Sequence, residues 1–384
     1  MKIVHICMAQ YSDGWTYQEN LLTKYHKILG HEVVLITSMY CYKEGNLIED
    51  SKTTFVDVNG VKIIRLEKKK DGFFNKIPTY KNFYNTLIDE KPDIIFSHGC
   101  QYKDVSLVAK YMRKHSDTKL FVDNHADFSN SAKSVISKLF LHKIIWRYYA
   151  KKLIPYAEAF WGVLPARVDF LSEVYGLPKE RCKLLVMGAD DELVEKSKNL
   201  NMRKKIREKY AIENADFLIV TGGKIDRAKI QTESLMKTIS TMHNSNVKLL
   251  VFGSIEADIR DRIMSWVDGE KIIYAGWITP EQSYDYFESA DLVVFPGRHS
   301  VFWEQVAGQG KPMVCKSWPG TRHIDVGGNV VFIERDGEDS IKEVLEKIIE
   351  SKEVYLNMLQ IATEKATKEF SYIEIAKKSI GIDG

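Results

Sequence analysis

Three groups of residues in this chain are of types, and at spacings, that could do chemistry. The first is Gly222-Gly223-Lys224-Ile225-Asp226-Arg227-Ala228-Lys229, directly after the apolar run 217–221. Glycines at a strand end leave backbone N–H groups free to cradle an anion, and Lys224, Arg227 and Lys229 suit one of high charge density, such as a diphosphate. The spacing is not that of a P-loop, since no Ser or Thr follows Lys224. The second group follows the β-branched run 292–295: Pro296-Gly297 stops it, Arg298, His299 and Ser300 form a polar turn, and Glu304 and Gln305 open a helical segment that ends at Gly310-Lys311-Pro312. A helix aimed at such a turn presents free N–H groups and a positive dipole end, again suited to phosphate. The third group is a pair of histidines, each just past a strand: His98, and His125 within Asn124-His125-Ala126-Asp127. Histidine changes charge near neutral pH, and Asp123 and Asp127 flank His125 closely enough to set its tautomer.

These groups need strands to present them. Residues 2–8 read as a buried strand, followed by a turn with Gly14, a helical pattern over 17–29 stopped by Gly30, and a second strand over 33–37, which completes a βαβ unit. Gly14 thus falls at the carboxyl end of the first strand, where a backbone can approach a ligand. Further strands are expected at 61–66, 93–97, 119–123, 160–164 and 183–187, with a helix at 165–175. Gly188 to Asp191 breaks the pattern, a helical stretch follows over 195–209, and the alternation restarts at Phe217. Later strands end at Gly253 and before Trp277, and 341–378 is helical. Two successive βα series of this kind predict an α/β protein of two doubly wound, Rossmann-like domains facing a cleft. The domains expected are 1–190 and 191–365, with 366–384 as a C-terminal helix packing back on the first.

Composition narrows the class. With 384 residues, 45% hydrophobic and 28% charged, the chain suits two globular domains. A net charge of +3 and separated basic patches argue against nucleic acid. The five cysteines are far apart and in no CxxC pair, so neither a disulfide framework nor a cysteine metal site is expected. The N-terminus reads as a strand without a cleavable signal, and no run reaches the roughly 18–20 apolar residues of a spanning helix. A cytoplasmic location is expected. Between Ser129 and Pro155, however, Lys133, Lys138, Lys143, Arg147, Lys151 and Lys152 stand among apolar and aromatic residues with no acid. That pattern over 133–152, with the basic and aromatic stretch 68–76, is compatible with peripheral contact at an anionic membrane surface on the inner face of the plasma membrane.

In this order the features resemble the family-4 glycosyltransferases, retaining enzymes of the GT-B fold that use a nucleotide sugar. Gly30-His31-Glu32-Val33 looks like that family's GHEV step, Lys91-Pro92-Asp93 like its KPD lead-in, Asn124-His125-Ala126-Asp127 like its strand-end His-Asp, and Leu185 to Asp190 like the end of its first domain. Gly223-Lys224 with Lys229 resembles the element in which an Arg and a Lys grip the donor diphosphate, with Lys224 where the Arg is usual and Ile230 where a Gly is. The departure lies in the second group. Set on Gly310-Lys311-Pro312, the family's two glutamates fall on Gly297 and Gln305, and Glu304 stands one residue early. The run from His299 to Gln305 looks like a variant found in cell-surface polysaccharide glycosyltransferases.

The resemblance implies transfer of a sugar from a nucleoside diphosphate donor, UDP or GDP, to a hydroxyl of a glycan or lipid-linked glycan, with retention and without a metal. It implies catalytic roles for His125, Lys224 and Lys229. The donor would be held by Gly14, Gly223, Gly253 and Trp277, with Glu304 or Gln305 on the ribose and Arg298, His299 or Ser300 on the sugar. His98 and Asp127 would face the acceptor. The alternatives are a GT-B nucleotide-sugar epimerase or hydrolase, with His98 and His125 as acid and base, or a non-catalytic sugar-nucleotide-binding protein.

Overall fold

The apolar β-branched runs become the strands of two largely parallel sheets. The structure, a computed structural model, describes residues 1–43, 46–69, 78–127, 137–227 and 230–382, with the backbone alone at 137–140. Its first series is β1 (Lys2–Cys7), β2 (Glu32–Ser38), β3 (Tyr40–Lys43), β4 (Asn46–Glu49), β5 (Thr54–Val56), β6 (Lys62–Leu66), β7 (Ile94–Ser97), β8 (Lys119–Asn124), β9 (Ala157–Gly162) and β10 (Cys182–Leu184). Eight of these form one sheet in the order β10-β9-β8-β7-β1-β2-β6-β5, parallel except where β5 pairs antiparallel with β6. The order runs outward from β1 through β2 and then returns to β7 on its other side. The gap between β1 and β7 is therefore where the strand order reverses, and reversals of this kind open a crevice at the carboxyl ends. Parallel strands are covered on both faces, which is why β7 is buried at all four positions and β1 at every position after Lys2. Val4, Ile6, Ile95, Leu120, Val122 and Phe160 lie in the core on this sheet.

The second series is β11 (Phe217–Gly222), β12 (Val247–Phe252), β13 (Ile272–Tyr274), β14 (Leu292–Phe295), β15 (Met313–Lys316) and β16 (Val330–Ile333). They pair in parallel in the order β13-β12-β11-β14-β15-β16, the doubly wound dinucleotide-fold order, with the reversal between β11 and β14. Its core holds Ile219, Leu249, Val251, Leu292, Val294 and Val314.

The chain divides into two compact units, Met1–Val186 with Tyr372–Gly384, and Met187–Ser371. The division falls after Val186 and not at 190, because the connecting residues are tied into the second unit. Ala189 N–H donates to Phe370 O at 2.8 Å, Asp190 N–H donates to the Tyr284 hydroxyl at 2.9 Å, and the Asp190 carboxylate caps the helix Asp191–Asn199. The return falls at Tyr372 and not at 366. The helix Tyr372–Ser379 lies on the helix Gln18–Ile28, with Tyr372 stacked on Tyr25 at 5.9 Å between ring centroids. Trp161 Nε1–H donates to Ser379 O at 3.0 Å.

Other differences concern local regularity. The stretch expected as one helix over 195–209 is two, Asp191–Asn199 and Met202–Lys209, separated at Asn201 with φ +52°. Residues after β2, which carry no strand signal, form the antiparallel pair β3–β4. Arg65, 4% exposed, ties the start of this pair to its surroundings: it donates to the carbonyls of Tyr40, Tyr11 and Ser38 at 3.2, 3.0 and 3.1 Å.

Candidate functional site

The reversal in the second unit is floored by glycine. β11 ends at Gly222, where a Cβ would stand 2.2 Å from the Phe252 ring, so no other residue lets the strand pass this close. Gly223 and Gly253 follow the ends of β11 and β12, each with φ +121°. Gly223 N–H donates to Phe252 O at 3.1 Å, and Gly253 N–H to Gly276 O at 2.8 Å, which laces the three neighbouring strand ends together. Across the gap β14 ends in Pro296, Gly297 and Arg298. A pocket lies between Gly222, Gly223 and Lys224 on one wall and Pro296, Gly297 and Arg298 on the other. It adjoins a recess of about 330 Å³ lined by Gly253, Ser254, Trp277, Ile278, Val301 and Phe302. Trp277 is 68% exposed, an aromatic ring left uncovered at that recess. A planar base fits such a recess, with its phosphates over the glycine turns.

Two cations stand at this pocket in different states. Lys224 Nζ is 2.7 Å from Glu256 Oε1 and 3.5 Å from Asp226 Oδ2, and its pKa is raised by the hydrogen bond and charge of Glu256. Arg298 is exposed and has no ion-pair partner among the described residues. An incoming diphosphate would thus meet Arg298 directly and would compete with Glu256 for Lys224. Lys229, expected to share that role, lies outside the described residues, and Arg227 is paired with Asp258 at 2.6 Å.

Glu304 and Gln305, expected at the ribose, are both buried and engaged by other side chains. The helix that carries them, Phe302–Gly308, has seven residues and is buried from Trp303 onward. Glu304 is fully buried, and its Oε1 accepts from His299 Nε2 at 2.8 Å and from His323 Nε2 at 3.1 Å, while Oε2 has no partner among the described residues. Burial alone would raise this carboxyl, but His299 and His323 hold it down at about 2. Gln305 is bound to Ser283 Oγ at 2.9 Å, and Gln309 Nε2 donates to Tyr284 O at 2.9 Å, so both amides pin this helix to the helix Gln282–Ser289. Glu304 therefore works as a buried clamp on His299, just past β14, and on the turn containing His323. His299 is occupied by that clamp, whereas Ser300 lines the pocket. The sequence offers no sign of His323, which sits in a polar, glycine-rich connection. His299, Glu304 and His323 are the one group among the described residues whose donor atoms lie close enough, within 4.8 Å, to share a cation. The two N–H···O bonds account for the geometry without one.

The first unit gathers a second set at its own reversal. His98 Nδ1 is 3.0 Å and His125 Nε2 is 3.3 Å from Asp123 Oδ2, and Asp123 is fully buried. Burial would raise Asp123, but the two imidazoles hold it well below the usual carboxylate range. Burial disfavours charge on His125, and the Asp123 carboxylate outweighs it and raises the imidazole. Asp127 does not join them: it is buried and paired with Arg167 at 3.1 Å. Gly14, with φ +73°, sits in an exposed turn after β1 with open space around its Cα.

No protein-family model matches the sequence. Solved structures do match, along nearly the whole chain. A glycosyltransferase from Rickettsia africae has a TM-score of 0.69 at 15% identity, covering 99% of this chain and 98% of that one. HepE from Anabaena, solved with UDP, has a TM-score of 0.68 at 14% identity over 98% of each chain. The chain has the GT-B fold. A UDP-GlcNAc 2-epimerase from Neisseria meningitidis is also similar to this GT-B chain, with a TM-score of 0.61 at 12% identity over 98% of both. Among curated proteins, mannosylfructose-phosphate synthase from Agrobacterium fabrum is 20% identical over 233 residues, 57% of this chain and 51% of that one. The match spans about half of that relative's length. These likenesses are consistent with the family-4-like GT-B pattern read from the motifs.

In the GT-B chain's basic stretch, the described part runs as a π-helical turn, Ser137–Trp146, and a short helix, Arg147–Lys151. Ile144 and Tyr148 are more than half exposed beside exposed Lys143 and Lys151, while Lys152 folds back to Ser106 Oγ at 3.0 Å. Lys133, the Lys138 side chain and residues 70–76 lie outside the described residues. Among the described residues, no helix is long and apolar enough to cross a membrane.

Proposed function

We propose that this chain is a glycosyltransferase that moves a sugar from a nucleoside diphosphate sugar to a hydroxyl of a glycan or lipid-linked glycan. The observation that carries the reading is the glycine-floored pocket at the β11/β14 reversal, with Lys224 on one wall and Arg298 on the other. Departure of a diphosphate needs cationic stabilisation in place before the bond breaks, and the two positive side chains at the glycine turns supply it. Trp277 and the recess beside Gly253 receive the base, and UDP is the first choice because HepE was solved with UDP. His125, oriented by Asp123, is the candidate acid–base group. Retention, independence of metal, a part in cell-surface polysaccharide synthesis and contact with the membrane through Lys143, Ile144, Tyr148 and Lys151 follow from the sequence resemblance and the surface pattern.

The test is thermal stabilisation by UDP, GDP, ADP and CMP, then by the matching sugar nucleotides. Ligand that binds only the folded chain raises the melting temperature with the logarithm of its excess. One diphosphate should stabilise, and Arg298→Ala should weaken it roughly 10- to 100-fold, the worth of a charge-assisted hydrogen bond. Lys224→Ala should cost less, since Glu256 is then released as well. Silence from every nucleotide in a folded protein would remove the reading. The imidazoles on Asp123 favour a second reading, epimerisation or hydrolysis of the nucleotide sugar. Incubation with donor and no acceptor separates the two: release of free sugar or of an epimer supports the second, an unchanged donor the first.

A further inference from the structure

The first unit holds a line of imidazoles of which the proposed transfer uses only the last, His125. His26 Nδ1 lies 2.9 Å from His5 Nε2, and His5 Nδ1 lies 3.0 Å from His98 Nε2. The line continues through His98 Nδ1 to Asp123 and His125. At its other end His26 Nε2 is 3.0 Å from both Ala376 O and Ser379 Oγ of the C-terminal helix. His5 and His26 are fully buried. Burial, helped by the neighbouring imidazoles, holds His5 well below the ordinary histidine value, and for His26 it outweighs the Ala376 hydrogen bond and brings the imidazole to about 3. Both are neutral, with one N–H each.

Hydrogen accounting then fixes the chain. A carbonyl oxygen only accepts, so His26 Nε2 carries the hydrogen that meets Ala376 O. The Ser379 hydroxyl already donates to that carbonyl at 2.8 Å. His26 Nδ1 therefore accepts from His5 Nε2–H, and His5 Nδ1 accepts from His98 Nε2–H. The remaining nitrogen of His98 faces a carboxylate, which also only accepts, so both nitrogens of His98 carry hydrogen. Asp123 is 0% exposed, its ion-pair partners among the described residues are His98 and His125, and a buried carboxylate requires a counter-charge from this pair. The other groups that face this end are Cys7 and Cys100 near Asp123, and Glu19 and Arg167 near His125.

We propose that His26 and His5 are positioning residues that, through a chain anchored on Ala376 O, hold His98 as the cationic partner of Asp123 and so keep Asp123 a carboxylate that orients His125. The reverse polarity has Ser379 donating to His26 and every histidine donating from Nδ1. It places a bare ring nitrogen 3.0 Å from Ala376 O. The consequence for transfer rests on the role proposed for His125; the state of the chain does not.

The experiment is NMR of the full chain labelled with ¹⁵N in histidine, near neutral pH. His5 and His26 are expected as Nε2–H tautomers and His98 with both nitrogens protonated. In His26→Phe, His5 should switch to Nδ1–H and His98 should lose a proton. Ser379→Ala should leave all three unchanged, because the anchor is the carbonyl. A neutral Nδ1–H His98 in the parent, or a pattern reversed by Ser379→Ala, overturns the proposal. If His26→Phe fails to fold, the parent and Ser379→Ala spectra still decide. None of these readouts needs a substrate, so failure of the transferase reading would be seen separately, in the nucleotide screen.

Discussion

Gly253→Ala should abolish nucleotide binding and destabilise the second unit by about 3–5 kcal/mol, the sum of backbone strain at positive φ and overpacking. The residue has φ +121°, and a Cβ there would stand 1.9 Å from Gly223 O and 2.7 Å from its carbonyl carbon. Neither side can yield. Gly253 is tied to Gly276, Gly223 to Phe252, and Ile225 N–H to Ser254 O at 2.8 Å, so relief of the clash must break the lacing that shapes the pocket. Gly269→Ala is the control: its φ is +83° but nothing lies within 4 Å, so strain alone remains, about 1 kcal/mol. Urea unfolding and UDP titration of both variants make the comparison. A Gly253→Ala protein as stable as Gly269→Ala, and still able to bind, would sink the account of the glycine floor.

Glu304→Ala should cost about 2–3 kcal/mol at neutral pH, because it leaves the half-buried His299 and His323 N–H groups without their acceptor. The same carboxylate makes the second unit acid-sensitive. Its folded pKa of about 2 lies below the value of 4.5 for an unperturbed glutamate, so its stabilisation is complete above the unfolded value and is lost as pH falls through about 2. At 1.36 kcal/mol per unit the full effect is about 3 kcal/mol. Glu304→Gln keeps an oxygen for both N–H donors and should flatten this part of the pH profile. Denaturant titrations at several pH values between about 7 and about 3 read the difference. Identical profiles for Glu304 and Glu304→Gln would show that the clamp carries no charge.

The sheets were legible because parallel strands buried on both faces must be largely apolar, and the runs at 2–8, 217–221 and 292–295 are, with Lys2, His5 and Thr221 as the exceptions. The strand-end glycines were legible for a related reason: a buried strand that stops at Gly222-Gly223 or Gly253 leaves little else for a glycine to do. What the sequence hid is pairing. Nothing in the spacing of His299, Glu304 and His323 says that they converge, since the third arrives from a turn after the next strand. Glu304 was a ribose candidate only through the family resemblance, and the structure shows it buried and held by His299 and His323. His5 and His26 were equally silent, one inside an apolar strand and the other on a helix, joined by folding alone. Lys224 was legible as a cation, but not as one already held by Glu256.

The C-terminal helix has a consequence for biosynthesis. Residues 372–379 belong to the first unit, yet the ribosome makes them after every residue of the second. His26 and Ala376, bonded across 350 positions, cannot meet until then. The second unit has its whole sequence available while Tyr25, His26 and Trp161 still wait for the helix that covers them. Domains usually mature in the order in which they are synthesised; here the unit that begins first is finished last.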